Sequence, residues 1–118
     1  MKQSSYIQVG DKKVAIVRNP YERIITLYRE SWNWVGLEIW LEKERIESQT
    51  ELYNDELSIT LEHWESDCKD LDISPDKKRM ELLTKKYSTD YKRWYGRRLM
   101  KIVTPIVEQD LVTFGYRF

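Results

Sequence analysis

The sequence predicts a small α/β or α+β domain, mostly helical, with a short β-hairpin near its N-terminal end. Three observations carry this. Tyr6 to Val9 is short and β-prone, and the turn signal Gly10-Asp11 separates it from the apolar run Val14-Ala15-Ile16-Val17. Beyond Pro20, apolar residues recur at helical spacing. A chain of 118 residues, 41% hydrophobic and 34% charged, describes one globular domain (1–118) with a single core.

The second strand is apolar on both faces, the pattern of a strand covered on both sides. In a two-stranded hairpin it would leave bare edges. Helices must cover it or a second copy must extend the sheet, so a homodimer is expected. The strand stops at Arg18-Asn19-Pro20-Tyr21-Glu22. Asn19 is an N-cap, Pro20 suits the first helical position and Glu22 falls at the third, a capping box with Asn as its cap. The helix that follows places Tyr21, Ile24, Ile25, Tyr28, Trp32 and Val35 on one face. Gly36 ends or bends it, and Leu37, Trp40 and Leu41 resume it.

Residues 47–56 are polar and read as a loop. Leu57, Leu61, Trp64, Cys68 and Leu71 then recur at steps of four and three, which predicts an amphipathic helix. Ser74-Pro75 opens a short helix through Met80, Leu83 and Tyr87. Ser88 or Thr89 caps another that carries Tyr91, Trp94, Tyr95, Leu99, Ile102 and Val103. Pro105 either kinks that helix or, with Thr104 as cap, starts a new one, and Gly115 stops it.

Composition narrows the function classes. Lys+Arg and Asp+Glu number 20 each, so net charge is zero, which argues against nucleic acid as a whole-surface partner. One cysteine leaves no internal disulfide framework. The start MKQSSYIQVG has no apolar leader core, and no run approaches a membrane span. The expectation is a cytoplasmic protein with no membrane partner. His63, the single histidine, reads as an exposed helix residue rather than a metal ligand, so no metal is expected. Cys68 lies on an apolar stripe and reads as a small buried hydrophobe. Trp32, Trp64 and Trp94 fall on apolar stripes, while Trp34 and Trp40 are interface candidates. Lys92, Arg93, Arg97, Arg98 and Lys101 form a basic run. It reads as a solvated helix face, as a polyanion-binding surface, or as a wall of the site at Arg18.

That site is the chemically suggestive unit. Arg18 leaves the carboxyl end of a buried strand and stands before a capped helix, where α/β proteins bind ligands. Its guanidinium fork suits phosphate, and a helix N-terminus favours anions. Thr26 lies further along the helix and offers a hydroxyl.

The segment Val14-Ala15-Ile16-Val17-Arg18-Asn19-Pro20-Tyr21-Glu22-Arg23-Ile24-Ile25-Thr26-Leu27-Tyr28 resembles the 3′-phosphate-binding segment of the sulfotransferase superfamily. It is most similar to the carbohydrate-type branch, whose pattern runs VR-(D/N)-P-(Y/F)-x-R-x-x-S-x-Y. Glu108-Gln109-Asp110-Leu111-Val112-Thr113-Phe114-Gly115-Tyr116 resembles the closing D-x-x-x-F-G-Y of the same branch. The resemblance implies 3′-phosphoadenosine 5′-phosphosulfate, or adenosine 3′,5′-bisphosphate, as cofactor. It implies that Arg18 and Thr26 hold the 3′-phosphate, with Thr26 where the family has Ser. Arg23 matches the motif's second arginine and supports the helix or the pocket rim. The family also grips the 5′-phosphosulfate with a glycine-rich strand-to-helix loop. None of Gly10, Gly36, Gly96 and Gly115 sits in such a loop. The implied protein is a truncated sulfotransferase-like domain that is not catalytically competent alone, or one that receives the loop from a partner chain. It carries no catalytic residue that the sequence identifies. The alternatives are a non-enzymatic structural or interaction module reusing the fold, or a polyanion-binding module built on the basic run from Lys92 to Lys101.

Overall fold

The computed structural model describes residues 3–31, 34–54 and 56–118. The chain is mixed α/β and mostly helical. In order it forms β1 (Tyr6–Val9), β2 (Lys12–Val17), α1 (Pro20–Glu30), α2 (Leu37–Lys43), α3 (Gln49–Leu52) and β3 (Ser58–Thr60). Then follow α4 (Trp64–Asp70), α5 (Lys77–Lys85), a 3-10 turn (Tyr91–Trp94) and α6 (Arg97–Phe114).

The hairpin forms as expected. Val9 pairs with Lys12 across the two-residue loop, and Gly10 adopts φ +63° there, a left-handed conformation that glycine takes without steric cost. The expected helix over 57–71 is corrected. Its first part is β3, which pairs in parallel with β2, Ile16 opposite Ile59, and only Trp64–Asp70 is helical. The apolar step from Leu57 to Leu61 is helical in spacing, but Ile59 between them is buried against the sheet. With strand order β1-β2-β3, β2 is the central strand, so the need to cover its edges is met within one chain.

Strand alternation splits β2 between two cores. Val14 and Ile16 join Ile7, Ile59, Leu61, Cys68 and Met80, under α4 and α5. Ala15 and Val17 face Tyr53, with Phe114 and Tyr116 packed alongside. A third core joins α1, α2, the 3-10 turn and α6 through Ile24, Ile25, Trp40, Tyr91 and Val103.

Other element expectations shift in detail. The loop over 47–56 contains α3, capped by Ser48, whose side chain accepts from the Glu51 amide. Asp76, not Ser74, caps α5. Gly36 is the cap residue that opens α2. The helix expected from Ser88 begins only at Arg97, so Arg93 sits on the 3-10 turn and off the α6 stripe. Helix α6 runs on through Pro105, whose side is exposed, and ends at Gly115 with φ +71°. Trp40 is core, 1% exposed, whereas Trp94 is 42% exposed, the reverse of what their stripes suggested. Trp32 lies outside the described residues. No helix among the described residues is long and apolar enough to cross a membrane.

Candidate functional site

The turn from β2 into α1 is held from both sides by distant segments. Gln49 closes a backbone-like pair with Arg18: its Oε1 accepts from the Arg18 amide, and its Nε2 donates to the Arg18 carbonyl, both at 2.8 Å. Gln49 is fully buried, and its own amide donates to the Asp110 carboxylate at 2.9 Å. On the other side the Asn19 amide donates to Glu62 at 2.6 Å, and Tyr116 donates to the second oxygen of the same carboxylate at 2.6 Å. Asn19 Nδ2 donates to the Arg117 carbonyl at 2.8 Å. The segments 14–28 and 108–116, far apart in the chain, therefore meet at this turn. Asp110 acts through Gln49 and Tyr116 through Glu62. Neither Gln49 nor Glu62 was singled out from sequence, because each lies outside both patterns.

Helix α1 opens as its residues dictate. Asn19 Oδ1 accepts from the Tyr21 amide at 3.0 Å, and Pro20 occupies the first position. Residues 20–27 are all buried, so their polar members must be partnered. Glu22 accepts from Arg18 Nε at 2.6 Å and from Nη2 at 2.7 Å. It also accepts from the Thr26 hydroxyl and from the Ser88 amide, the latter at 3.0 Å. Arg18 Nη2 reaches Thr26 Oγ1 at 3.4 Å, and the Tyr87 ring lies 5.6 Å from the guanidinium. Arg18 and Thr26 are thus neighbours, with Glu22 as the hub between them. Arg23 is only 4% exposed and ties down flanking chain, donating to the carbonyls of Glu47 at 2.8 Å and Gln3 at 3.1 Å. Burial pulls its guanidinium below the usual arginine range. Among the described residues no buried side-chain nitrogen or oxygen lacks a partner.

Arg18, Arg23 and Thr26 line one cavity of about 270 Å³. The segment before β1 also lines it, with Glu30 of α1, Arg79 and Leu83 of α5 and Lys86, the residue that caps α5 at its C-terminal end. Arg79 and Lys86 make no ion pair among the described residues. The basic run from Lys92 to Lys101 does not line this cavity. Its members are exposed, and Arg98 pairs with Glu38 at 3.2 Å.

His63 and Cys68 lie apart from this cavity. His63 is exposed and precedes α4, and no group of potential ligands among the described residues could hold a metal. Cys68 is buried, and that burial, with Asp67 beside it, raises its thiol, which opposes the reactive thiolate. Comparison with protein-family models, with curated proteins and with solved structures found no match.

Proposed function

We propose that this protein binds the 3′-phosphate end of a nucleotide at the β2–α1 turn, as a sulfotransferase-like domain that is not catalytically competent by itself. One observation carries the reading. Arg18 and Thr26 are within hydrogen-bond contact of each other, and with Arg23 they line one cavity. Glu22 orients the Arg18 fork through Nε and Nη2, which leaves the two Nη1 donors for a phosphate oxygen. The Thr26 hydroxyl lies at Nη2 and donates to Glu22. Ligands of this class are 3′-phosphoadenosine 5′-phosphosulfate and adenosine 3′,5′-bisphosphate.

A second reading, a structural or interaction module reusing the fold, is favoured by a different observation. Glu22 already neutralises Arg18 inside the fold, and a paired arginine needs no ligand.

Calorimetric titration with adenosine 3′,5′-bisphosphate separates the two. Arg18→Lys keeps a cation beside Glu22 but removes the fork. Saturable binding that weakens at least about tenfold in this variant, with an unchanged circular dichroism spectrum, is the expected result. No heat at millimolar nucleotide, or binding indifferent to Arg18→Lys, would leave the structural reading in its place.

A further inference from the structure

The two outer edges of the sheet are finished differently. At β3 the Thr60 amide donates to Asp67 Oδ2 at 2.7 Å, and the Thr60 hydroxyl reaches the same oxygen at 2.6 Å. Asp67 stands on α4, so a side chain caps that edge. The outer edge of β1 has no such cap. The Ile16 amide donates to the Ser5 carbonyl at 2.9 Å, so the antiparallel register turns the backbone groups of Ile7 and Val9 towards β2. Those of Tyr6 and Gln8 point outward. Among the described residues nothing bonds to these amides and carbonyls. The strand Tyr6–Val9 also holds no charge, proline or bulge, the devices that usually protect an edge.

Helix α5 runs beside this edge without closing it. A depression of about 420 Å³ lies there, lined by Tyr6, Ile7, Gln8, Lys13, Asp76 and Arg79. Arg79 and Leu83 also line the Arg18 cavity with Ser4 and Ser5, so α5 is antiparallel to β1. Arg79 lies toward the Tyr6 end of the strand and Asp76, one turn earlier, toward the Gln8 end. Arg79 has no ion pair among the described residues. Asp76 caps α5 through Oδ1, which leaves Oδ2 for another donor.

We infer that two copies of this chain pair through β1, antiparallel about a two-fold axis at Ile7. A two-fold interface must be its own complement. Tyr6 and Gln8 flank Ile7 symmetrically, so Tyr6 of one copy exchanges both backbone bonds with Gln8 of the second. The same axis sets Arg79 of one copy beside Asp76 of the second, and opposite charges meet on both sides. A foreign extended segment would fill the backbone groups equally well, and the matched charges are what favour a second copy. Pairing doubles the three-stranded sheet and makes both β1 strands interior, and the two-fold closure stops growth there. It requires no nucleotide.

Sedimentation velocity from low micromolar to near-millimolar protein tests this. A monomer–dimer equilibrium is expected. Gln8→Pro removes an outward donor and leaves the bonds to β2 intact, because an edge strand tolerates proline where its N–H would face out. With an unchanged circular dichroism spectrum, it should weaken association at least about tenfold. Arg79→Glu, at an exposed position, should weaken it severalfold. A third readout needs no variant: in the wild type, hydrogen exchange at the Tyr6 and Gln8 amides should slow as concentration rises. A chain that stays monomeric, a dimer as tight in folded Gln8→Pro as in the wild type, or Tyr6 and Gln8 amides unprotected where the dimer dominates would each overturn the inference. Indifference to Arg79→Glu would overturn its register.

Discussion

Glu22 grips Arg18 from one helical turn away, with Nε and Nη2 donating at 2.6 and 2.7 Å to a carboxylate that is fully buried. The pair joins the end of β2 to the first turn of α1, and Ser88 and Thr26 complete the coordination of the carboxylate. Removing one partner of such a pair strands the other. Glu22→Ala is expected to cost about 3–5 kcal/mol, read as a lower urea midpoint. Glu22→Gln keeps an acceptor for the Ser88 amide and should cost less, about 1–3 kcal/mol. It also frees the charge of Arg18, so its affinity for adenosine 3′,5′-bisphosphate should rise severalfold. An unchanged midpoint in both variants would mean that the carboxylate does not organise the turn.

Asp110 reaches the same turn from the C-terminal end. It is 1% exposed and accepts from the Gln49 and Thr50 amides at 2.9 and 2.8 Å and from the Thr50 hydroxyl at 2.8 Å. Asp110→Ala leaves the buried Gln49 amide and the half-buried Thr50 donors unpaired. The expected loss is about 2–4 kcal/mol, given about 1–3 for each unsatisfied group with partial relief by water. Because Gln49 brackets the Arg18 backbone, amide exchange at Arg18 should quicken more than exchange at Ile59, which lies outside the clamp. Equal acceleration at both would show that Asp110 supports the fold at large and not this turn.

The strand–turn–helix unit was legible because its signals are local. Asn19, Pro20 and Glu22 specify the start of a helix with no help from the rest of the chain, and four consecutive apolar residues specify a covered strand. What covers that strand was not legible. Residues 58–60 make a strand only because β2 offers an open edge, and the spacing of Leu57 and Leu61 imitates a helix. The same holds at the site. Arg18 and Thr26 announce themselves by type and spacing, whereas Gln49 lies in a polar run whose burial depends on Asp110, 61 positions away. Trp40 and Trp94 were misplaced for a related reason. Each can satisfy a helical stripe, and only the packing of α2 against α1 decides which one is enclosed.

Half-buried phenols give the protein an alkaline limit. Burial raises Tyr87, Tyr95 and Tyr116 above the ordinary value of 10.0. Glu62 and Glu22 add to the shift at Tyr87, Tyr21 and Glu22 add to it at Tyr95, and the hydrogen bond to Glu62 adds to it at Tyr116. A phenol whose folded pKa is raised is held protonated by the fold. The stability it contributes is fully present below pH 10 and is lost as pH climbs above it toward the folded values, because the unfolded chain ionises first. Stability from urea titrations should therefore be insensitive to these groups up to about pH 9 and should fall above pH 10. Absorbance at 295 nm should rise in a cooperative step that coincides with loss of helix signal. Smooth ionisation of every tyrosine near pH 10, with the fold intact, would contradict the partial burial of these rings.

The tryptophans offer a test that does not involve the site. Trp34 is fully exposed and Trp40 is 1% exposed, although both lie near the start of α2. Trp40 packs edge-on against Tyr28 with ring centroids 5.4 Å apart, inside the core that joins α1 to α6. Truncation there removes a large buried surface and leaves a cavity, so Trp40→Ala should cost about 3–5 kcal/mol. Trp34→Ser removes no packing and should shift stability by no more than about 0.5 kcal/mol. Acrylamide quenching follows the same division: replacing Trp34 should remove a strongly quenched component of the emission, and the protein should stay folded. If Trp34→Ser instead destabilised the chain as Trp40→Ala does, the assignment of these two rings to surface and core would be reversed.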